Sequence, residues 1–291
     1  MRSLGDIVER CRLSGRSFSE QAIFMESEES GVPAETLRRR MLSRLKDMEF
    51  SVRESASDQW RGLIAPSEAP LVERYAQKGA AYSSPFVLSA ARIAMAVSTY
   101  NAAMGRIVAA PTAGSCGILP GMLFACREHF GTEDEALLSG LFSAAAVGEV
   151  VASRATLAGA SGGCQAECGA AVAMGSAALV TVRGGAPDAV AHGVALAFKA
   201  ILGLVCDPVG GLVESPCIKR NALLVSLGAL STDLALAGVR SLIPADEVID
   251  AMGQVGKALP ETLRETGLGG LAVAPTGRSL AEQIGIQTPK G

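Results

Sequence analysis

The stretch that decides the fold covers residues 141–182 and reads LFSAAAVGEVVASRATLAGASGGCQAECGAAVAMGSAALVTV. It is long enough to raise the question of a membrane span, which needs about 20 apolar residues. However, Glu149, Arg154 and Glu167 interrupt it, and an ionisable group at the centre of a bilayer costs several kcal/mol. Alanine, the best helix former, recurs throughout. The stretch therefore predicts helices buried inside a protein and no membrane span.

The composition of the whole chain supports a mainly α fold. Of its 291 residues, 49% are apolar but only 4% are aromatic, and no segment shows sustained alternation of apolar and polar residues. An interior of alanine, glycine and serine predicts compact packing of helices whose backbones approach closely. The apolar content excludes a disordered chain, and the net charge of −3 gives no basic surface for nucleic acid.

Charge divides the chain into two parts. Residues 1–60 hold 21 charged side chains, whereas the 125 residues from 106 to 230 hold 16. We therefore predict a charged helical segment over residues 1–65, which offers a contact surface for another subunit, and an α-helical catalytic domain over residues 66–291. Helical patterns are predicted at 33–60, 85–104, 118–130, 188–205, 218–239 and 244–259, with Gly131 ending one helix and Thr132 capping the next.

The N-terminus and the cysteines indicate the compartment. Acidic and basic residues occur within the first ten positions, and no apolar core of a signal peptide follows. We expect a cytoplasmic protein. In a reducing cytosol, the seven cysteines are better explained as buried thiols, a catalytic thiol or metal ligands than as disulfides.

Three glycine-rich breaks interrupt the helical pattern, and we expect loops there to carry the chemistry. The first is PTAGSCG at 111–117, directly before a predicted helix. Converging backbone N–H groups and the positive end of the helix would suit a carboxylate or phosphate. An ordinary turn between helices explains the pattern equally well. The candidate anion-binding residues are Thr112, Ala113, Gly114, Ser115 and Gly117.

The other two breaks contain cysteines. They read GASGGCQAECG at 159–169 and GLVCDPVGGLVESPCIKRN at 203–221. Paired C-x2-C knuckles, which zinc ribbons use, are absent. The spacing of Cys164, Cys206 and Cys217 suits a site assembled from separate loops, as iron–sulfur sites commonly are.

Together, the stretches APTAGSCGI, GCQ, CDPV and PCIKRN, in this order, resemble the α subunit of the iron–sulfur-dependent L-serine dehydratases. That resemblance implies conversion of L-serine to pyruvate and ammonia with a [4Fe–4S] cluster in place of pyridoxal phosphate. It assigns Cys164, Cys206 and Cys217 as the cluster ligands. Three ligands leave one iron open as a Lewis acid for the β-hydroxyl, and the first loop would hold the serine carboxylate.

The sequence departs from this family in two places. Residues 285–291 contain no cysteine, whereas some members end in a cysteine that reaches the cluster. Single-chain members also carry a small α/β domain, which is missing here. We therefore expect a separate β subunit. The sequence is also compatible with a homo-oligomer. An L-cysteine desulfidase and a non-catalytic metal-binding regulator are the alternative functions.

Several further side chains are candidates for the site. His192 and Lys199 lie seven residues apart on one predicted helix face; His192 fits a catalytic base or a hydrogen-bonded core histidine equally well. Lys219, Arg220 and Asn221 follow Cys217 and would neutralise a cluster or clamp substrate, although solvation of a helix start explains them too. Cys168 lies four positions after Cys164 and is interpreted as a buried thiol near the ligands; the alternative, a fourth ligand, would close the cluster. Three further candidates for the base are Glu149, Glu167 and Glu214.

Overall fold

The computed structural model describes residues 3–286, and within that range the protein is built from α-helices. The predicted mainly α fold is confirmed. The tail discussed above extends to residue 291, so its residues 287–291 lie outside the described part. The helices are α1 (Leu4–Ser14), α2 (Phe18–Ser30), α3 (Ala34–Ser55), α4 (Ala69–Ala76), α5 (Pro85–Ala102), α6 (Ile118–Phe130), α7 (Asp134–Arg154), α8 (Gly159–Gly162), α9 (Ala170–Val182), α10 (Pro187–Lys199), α11 (Cys217–Leu236), α12 (Ala245–Ala258) and α13 (Pro275–Gln283).

Helix ends follow local chemistry. α6 ends at Gly131, whose φ of 63° is the left-handed conformation that glycine adopts readily. The predicted cap at Thr132 is wrong, because α7 begins after Glu133 and the Thr132 hydroxyl donates to the carbonyl oxygen of Cys126 (3.2 Å). α10 ends at Lys199, six residues before the predicted helix end at 205.

The centre of the molecule is α9, surrounded by α6, α7, α10 and α11. Small residues allow close helix packing. A β-carbon added at Gly117, just before α6, would lie 2.2 Å from the carbonyl oxygen of Ala94 in α5, and one added at Gly175 in α9 would lie 2.4 Å from the sulfur of Met122. Close approach of backbones explains how a core with so few aromatic residues fills its volume.

The charged N-terminal segment packs onto the same core. Leu4, Phe18 and Leu45 are buried in one hydrophobic cluster with residues of α5 to α12. Ion pairs at its edge join α3 to the start of α7, including Lys46 with Asp134 at 2.8 Å. Its outer face is charged and exposed.

Two helical stretches, Asp134–Arg154 and Gln165–Val182, are long and apolar enough to cross a membrane by length and composition alone. In the folded chain, 67% and 83% of their most apolar windows are buried. Core helices of soluble proteins pass the same test, so these helices are weak evidence for a membrane location.

Candidate functional site

Four cysteines meet at the end of the bundle where α9 and α11 begin. Cys164 and Cys168 lie before and within a π-helical turn, Gln165–Gly169, that leads into α9; such turns are frequent at functional sites. Cys206 pairs with Arg264 in an isolated β-bridge, and Cys217 is the first residue of α11. None of the four is more than 8% exposed. The second glycine-rich break is thus largely helical.

The conformation of Gly163 places Cys164. Gly163 has a φ of 74°, which strains any residue with a side chain. A β-carbon there would also lie 2.8 Å from the carbonyl oxygen of Leu204, two residues before Cys206. The absence of a side chain therefore lets the second and third breaks come together.

The thiols interact with one another. Hydrogen bonds from Cys168 and Cys206 lower the pKa of Cys164, the charge of Arg220 lowers it further, and burial opposes them. The same bonds raise the pKa of the two donors. Burial raises the pKa of Cys217 to about 12. The hydrogen bonds among the thiols therefore lower the pKa of Cys164 relative to those of its cysteine neighbours.

Arg220 ties two cysteine segments together. Its Nη1 donates to the carbonyl oxygen of Val205 (2.9 Å), and its Nη2 pairs with Asp207, 3% exposed, at 2.8 Å. Asp207 in turn accepts from the backbone N–H of Leu271 (2.8 Å). Arg220 thus links the first turn of α11 to both neighbours of Cys206 and brings a positive charge to the thiols.

Asn221 joins the first glycine-rich break to the cysteines. Its Nδ2 donates to the carbonyl oxygens of Gly114 (2.7 Å) and Cys217 (2.9 Å), and its Oδ1 accepts from the N–H of Gly117 (3.0 Å). Asn221 is fully buried, and these bonds hold the 112–117 segment against the start of α11. Its role in substrate binding stays a prediction.

Within that segment, residues Ala113–Ser115 form a 3-10 turn. The hydroxyls of Thr112 and Ser115 lie 3.2 Å apart, and Thr112 also hydrogen-bonds to Glu167. A β-carbon added at Gly114 would lie 3.2 Å from a carboxylate oxygen of Glu167. The predicted anion-binding segment and the predicted cysteines therefore share one site.

Glu167 lies between these two parts. Its Oε2 is 3.8 Å from the sulfur of Cys206. Burial raises the pKa of Glu167 to about 7, the hydrogen bond from Thr112 opposes that rise, and the negative charges of Glu265 and Cys164 add to it. Of the alternative bases named from the sequence, Glu167 is the one that the fold brings to the thiols.

Two residues at this site were missed by sequence reasoning. The side chain of fully buried Gln165 donates to the carbonyl oxygen of Gly162 (2.9 Å) and accepts from the N–H of Gly203 (2.9 Å), so it joins the second and third breaks. Glu265 donates its backbone N–H to the carbonyl oxygen of Cys206 (2.7 Å). Carboxylate oxygens of Glu167 and Glu265 and the Cys206 sulfur all lie within 4.8 Å of one another and could hold a metal ion.

His192 and Lys199 do share a helix face, but it meets a different partner. Lys199 Nζ donates to the Ser241 hydroxyl (2.5 Å), and His192 Nδ1 accepts from the Ser241 N–H (3.3 Å). Ser241 lies between α11 and α12. Lys219 forms an ion pair with Glu68. In these contacts, the polar groups of His192, Lys199 and Lys219 bind residues outside the cysteine site.

Glu214, another alternative base, has a backbone partner. Its carboxylate, 3% exposed, accepts from the N–H groups of residues 63–65, each at 2.9 Å. These bonds hold the segment before α4 against the 209–216 turn. Glu149 lies half-buried in the middle of α7.

The fold and site define an all-α protein with four buried cysteines at one end of its helical bundle, beside a group of Glu167, Cys206 and Glu265 that could hold a metal ion. Comparison with known proteins narrows this class. The family model described as serine dehydratase alpha chain matches residues 14–272. The chain therefore belongs to the serine dehydratase alpha chain family, as its motifs indicated.

Individual relatives agree. The chain is 44% identical over 286 residues to the probable L-serine dehydratase, alpha chain, of Bacillus subtilis, covering 97% of this chain and 95% of that protein. It is 41% identical over 277 residues to the L-serine dehydratase, alpha chain, of Peptoniphilus asaccharolyticus, covering 94% and 95%. The L-serine dehydratase of Streptomyces coelicolor is 39% identical over 182 residues, which are 62% of this chain and 40% of that longer protein.

Proposed function

We propose that this chain is the catalytic subunit of an L-serine ammonia-lyase, which converts L-serine to pyruvate and ammonia. Family membership and the names of the relatives support the reaction class. The observation that carries the proposal is the junction at Asn221, which binds the 112–117 segment and the Cys217 carbonyl at once. Through it a prospective carboxylate seat and a prospective metal centre lie side by side.

A [4Fe–4S] cluster held by Cys164, Cys206 and Cys217 is the proposed cofactor. The donor set suits it, because all three thiols are buried, Cys206 hydrogen-bonds to Cys164 and the charge of Cys164 acts on Cys217. Thiolates are the usual ligands of iron–sulfur clusters. Arg220 would offset part of the negative charge of three thiolates. When bound, the cluster would supply an iron without a cysteine ligand as a Lewis acid toward the β-hydroxyl of serine.

The 112–117 segment is the proposed carboxylate seat. It leads directly into α6 (Ile118–Phe130), whose N-terminus carries a positive partial charge. Thr112 adds a hydroxyl, and Asn221 fixes the segment from its buried side. Holding the carboxylate there would orient the serine Cα toward Glu167.

Glu167 Oε2 is the proposed acceptor of the Cα proton. It lies beside Gly114 on the seat and 3.8 Å from Cys206 on the metal side. Loss of the proton and of the β-hydroxyl yields water and aminoacrylate, which tautomerises to an imine and hydrolyses to pyruvate and ammonium. His192 and Lys199 stay predictions as bases, and their contacts with Ser241 make Glu167 the stronger candidate.

A separate β subunit is the proposed partner, because the relatives that align with 97% and 94% of this chain are named alpha chains. The exposed outer face of residues 3–65 is the proposed contact surface, and residues 66–291 the proposed catalytic domain. Copurification of a tagged chain with a coexpressed β subunit, compared with a variant reversed in charge at Arg39 and Arg40, tests the surface.

Anaerobic purification tests the function. We expect a brown protein that, with its β subunit, forms pyruvate from L-serine and loses colour and activity in air. Assays on L-threonine and L-cysteine fix the substrate preference; faster turnover of L-cysteine would indicate the desulfidase. A colourless zinc protein without turnover, even with the β subunit, would contradict the proposal.

A further inference from the structure

We infer that Glu265 and Glu167 supply oxygen ligands to the one cluster iron that has no cysteine ligand. They do so while substrate is absent. This inference rests on the proposed function, because it presumes a cluster on Cys164, Cys206 and Cys217. It assigns a role to Glu265, which lies outside all three glycine-rich breaks.

The first support is the position of the two carboxylates. One oxygen of each and the sulfur of Cys206 lie within 4.8 Å of one another. Both carboxylates therefore lie beside a proposed cluster ligand, where the iron next to the one held by Cys206 would be within their reach. Carboxylate oxygen is a harder ligand than thiolate and suits ferrous iron while holding it less firmly than sulfur does.

The second support is charge. Two carboxylates beside a group of thiols repel one another, and this repulsion is unfavourable unless a cation lies close by. Arg220, the cation that acts on Cys164, already pairs with Asp207. A metal ion bound at Glu167 and Glu265 would remove the repulsion.

The third support is the way Glu265 is fixed. Its φ of 65° is uncommon for a residue with a side chain, and its N–H donates to the carbonyl oxygen of Cys206 (2.7 Å), while the Cys206 N–H donates to Leu263 (2.9 Å). These bonds hold Glu265 beside a proposed cluster ligand. Glu265 is exposed, so an incoming substrate could reach its carboxylate and displace it.

The role predicts how firmly the fourth iron is held. Ferricyanide, a one-electron oxidant, would convert a [4Fe–4S]2+ cluster to [4Fe–4S]3+, which releases Fe2+ and leaves [3Fe–4S]+; iron, sulfide and charge balance. The test compares unmodified protein with Glu265→Gln, anaerobically and without serine. The readouts are the electron paramagnetic resonance signal of the three-iron form and Fe2+ trapped by a chelator.

We expect Glu265→Gln to release Fe2+ about tenfold faster, the scale on which altered metal environments weaken binding. Glu261→Gln, an exposed change on the same segment, is the matched control and should match unmodified protein. If Glu265→Gln does not fold, Glu167→Gln gives the same comparison. Equal release rates in a variant with a full cluster would overturn the inference alone. Absence of iron and sulfide from unmodified protein would instead overturn the proposed function.

Discussion

Helices α11 and α10 are both largely apolar and both carry polar side chains, but these side chains make different kinds of contact. At the start of α11, Arg220 and Asn221 bind backbone groups of other segments and so hold the prospective carboxylate seat against the cysteines. On α10, His192 and Lys199 meet Ser241, in the connection between α11 and α12. A polar group in an apolar helix therefore does not by itself mark a site. The number of separate chain segments that it ties together is more informative.

Among substitutions that leave the proposed cluster ligands in place, Glu167→Gln is the one for which we expect the largest loss of turnover. General-base catalysis contributes about 10²- to 10⁴-fold, so kcat with L-serine should fall by about 10³-fold while KM changes little. Steady-state kinetics on protein with full iron content measures both. Glu282→Gln on the exposed side of α13 is the control. A kcat within a few-fold of the original would remove Glu167 as the base.

Asn221→Ala should have the next largest effect, on both stability and the KM for serine. It removes three hydrogen bonds and leaves the buried N–H of Gly117 and carbonyl of Gly114 without that partner. We expect the free energy of unfolding to fall by about 2–4 kcal/mol and KM for serine to rise, because the carboxylate seat loosens.

Thermal unfolding and the separate values of kcat and KM check this prediction. Ser226→Ala, on the exposed face of the same helix, should change stability by less than about 0.5 kcal/mol. If Asn221→Ala kept the original KM and stability, Asn221 would not be the clamp that joins seat and cysteines.

Of these substitutions, Lys199→Met should have the smallest effect on stability and on kcat/KM. It breaks the bond to Ser241, and we expect a stability loss of about 1 kcal/mol with kcat/KM within about threefold of the original, a change below 1 kcal/mol in the activation barrier. His192→Gln should behave similarly. A hundredfold loss of kcat in either variant would place the base on α10 and remove the contrast between the two regions.

The sequence was sufficient to predict the fold class, the family and several helix bounds. α6 begins and ends where the pattern from 118 to Gly131 indicated, because glycine marks its end. The shared face of His192 and Lys199 also follows from helical periodicity. What that face contacts depends on the path of the 237–244 connection, which periodicity does not encode.

The parts of the site that sequence reasoning missed depend on long-range contacts. Asn221 is a predicted substrate ligand, and its hydrogen bonds to Gly114 and Gly117 could not be predicted, because these partners lie more than 100 positions earlier in the chain. Glu265 carries no motif signal and comes to Cys206 through a backbone bridge. Gln165 follows the predicted ligand Cys164 directly, and this position was the available signal in the sequence. Its hydrogen bonds to Gly162 and Gly203 are visible only in the structure.

The most direct measurement of the central claim is the iron and acid-labile sulfide content of four single variants, purified anaerobically. Cys164→Ser, Cys206→Ser and Cys217→Ser should lose the cluster, whereas Cys168→Ser, which changes a thiol in contact with Cys164, should keep about four irons per chain. Loss of iron from Cys168→Ser as complete as from Cys164→Ser would contradict the assignment of the three ligands.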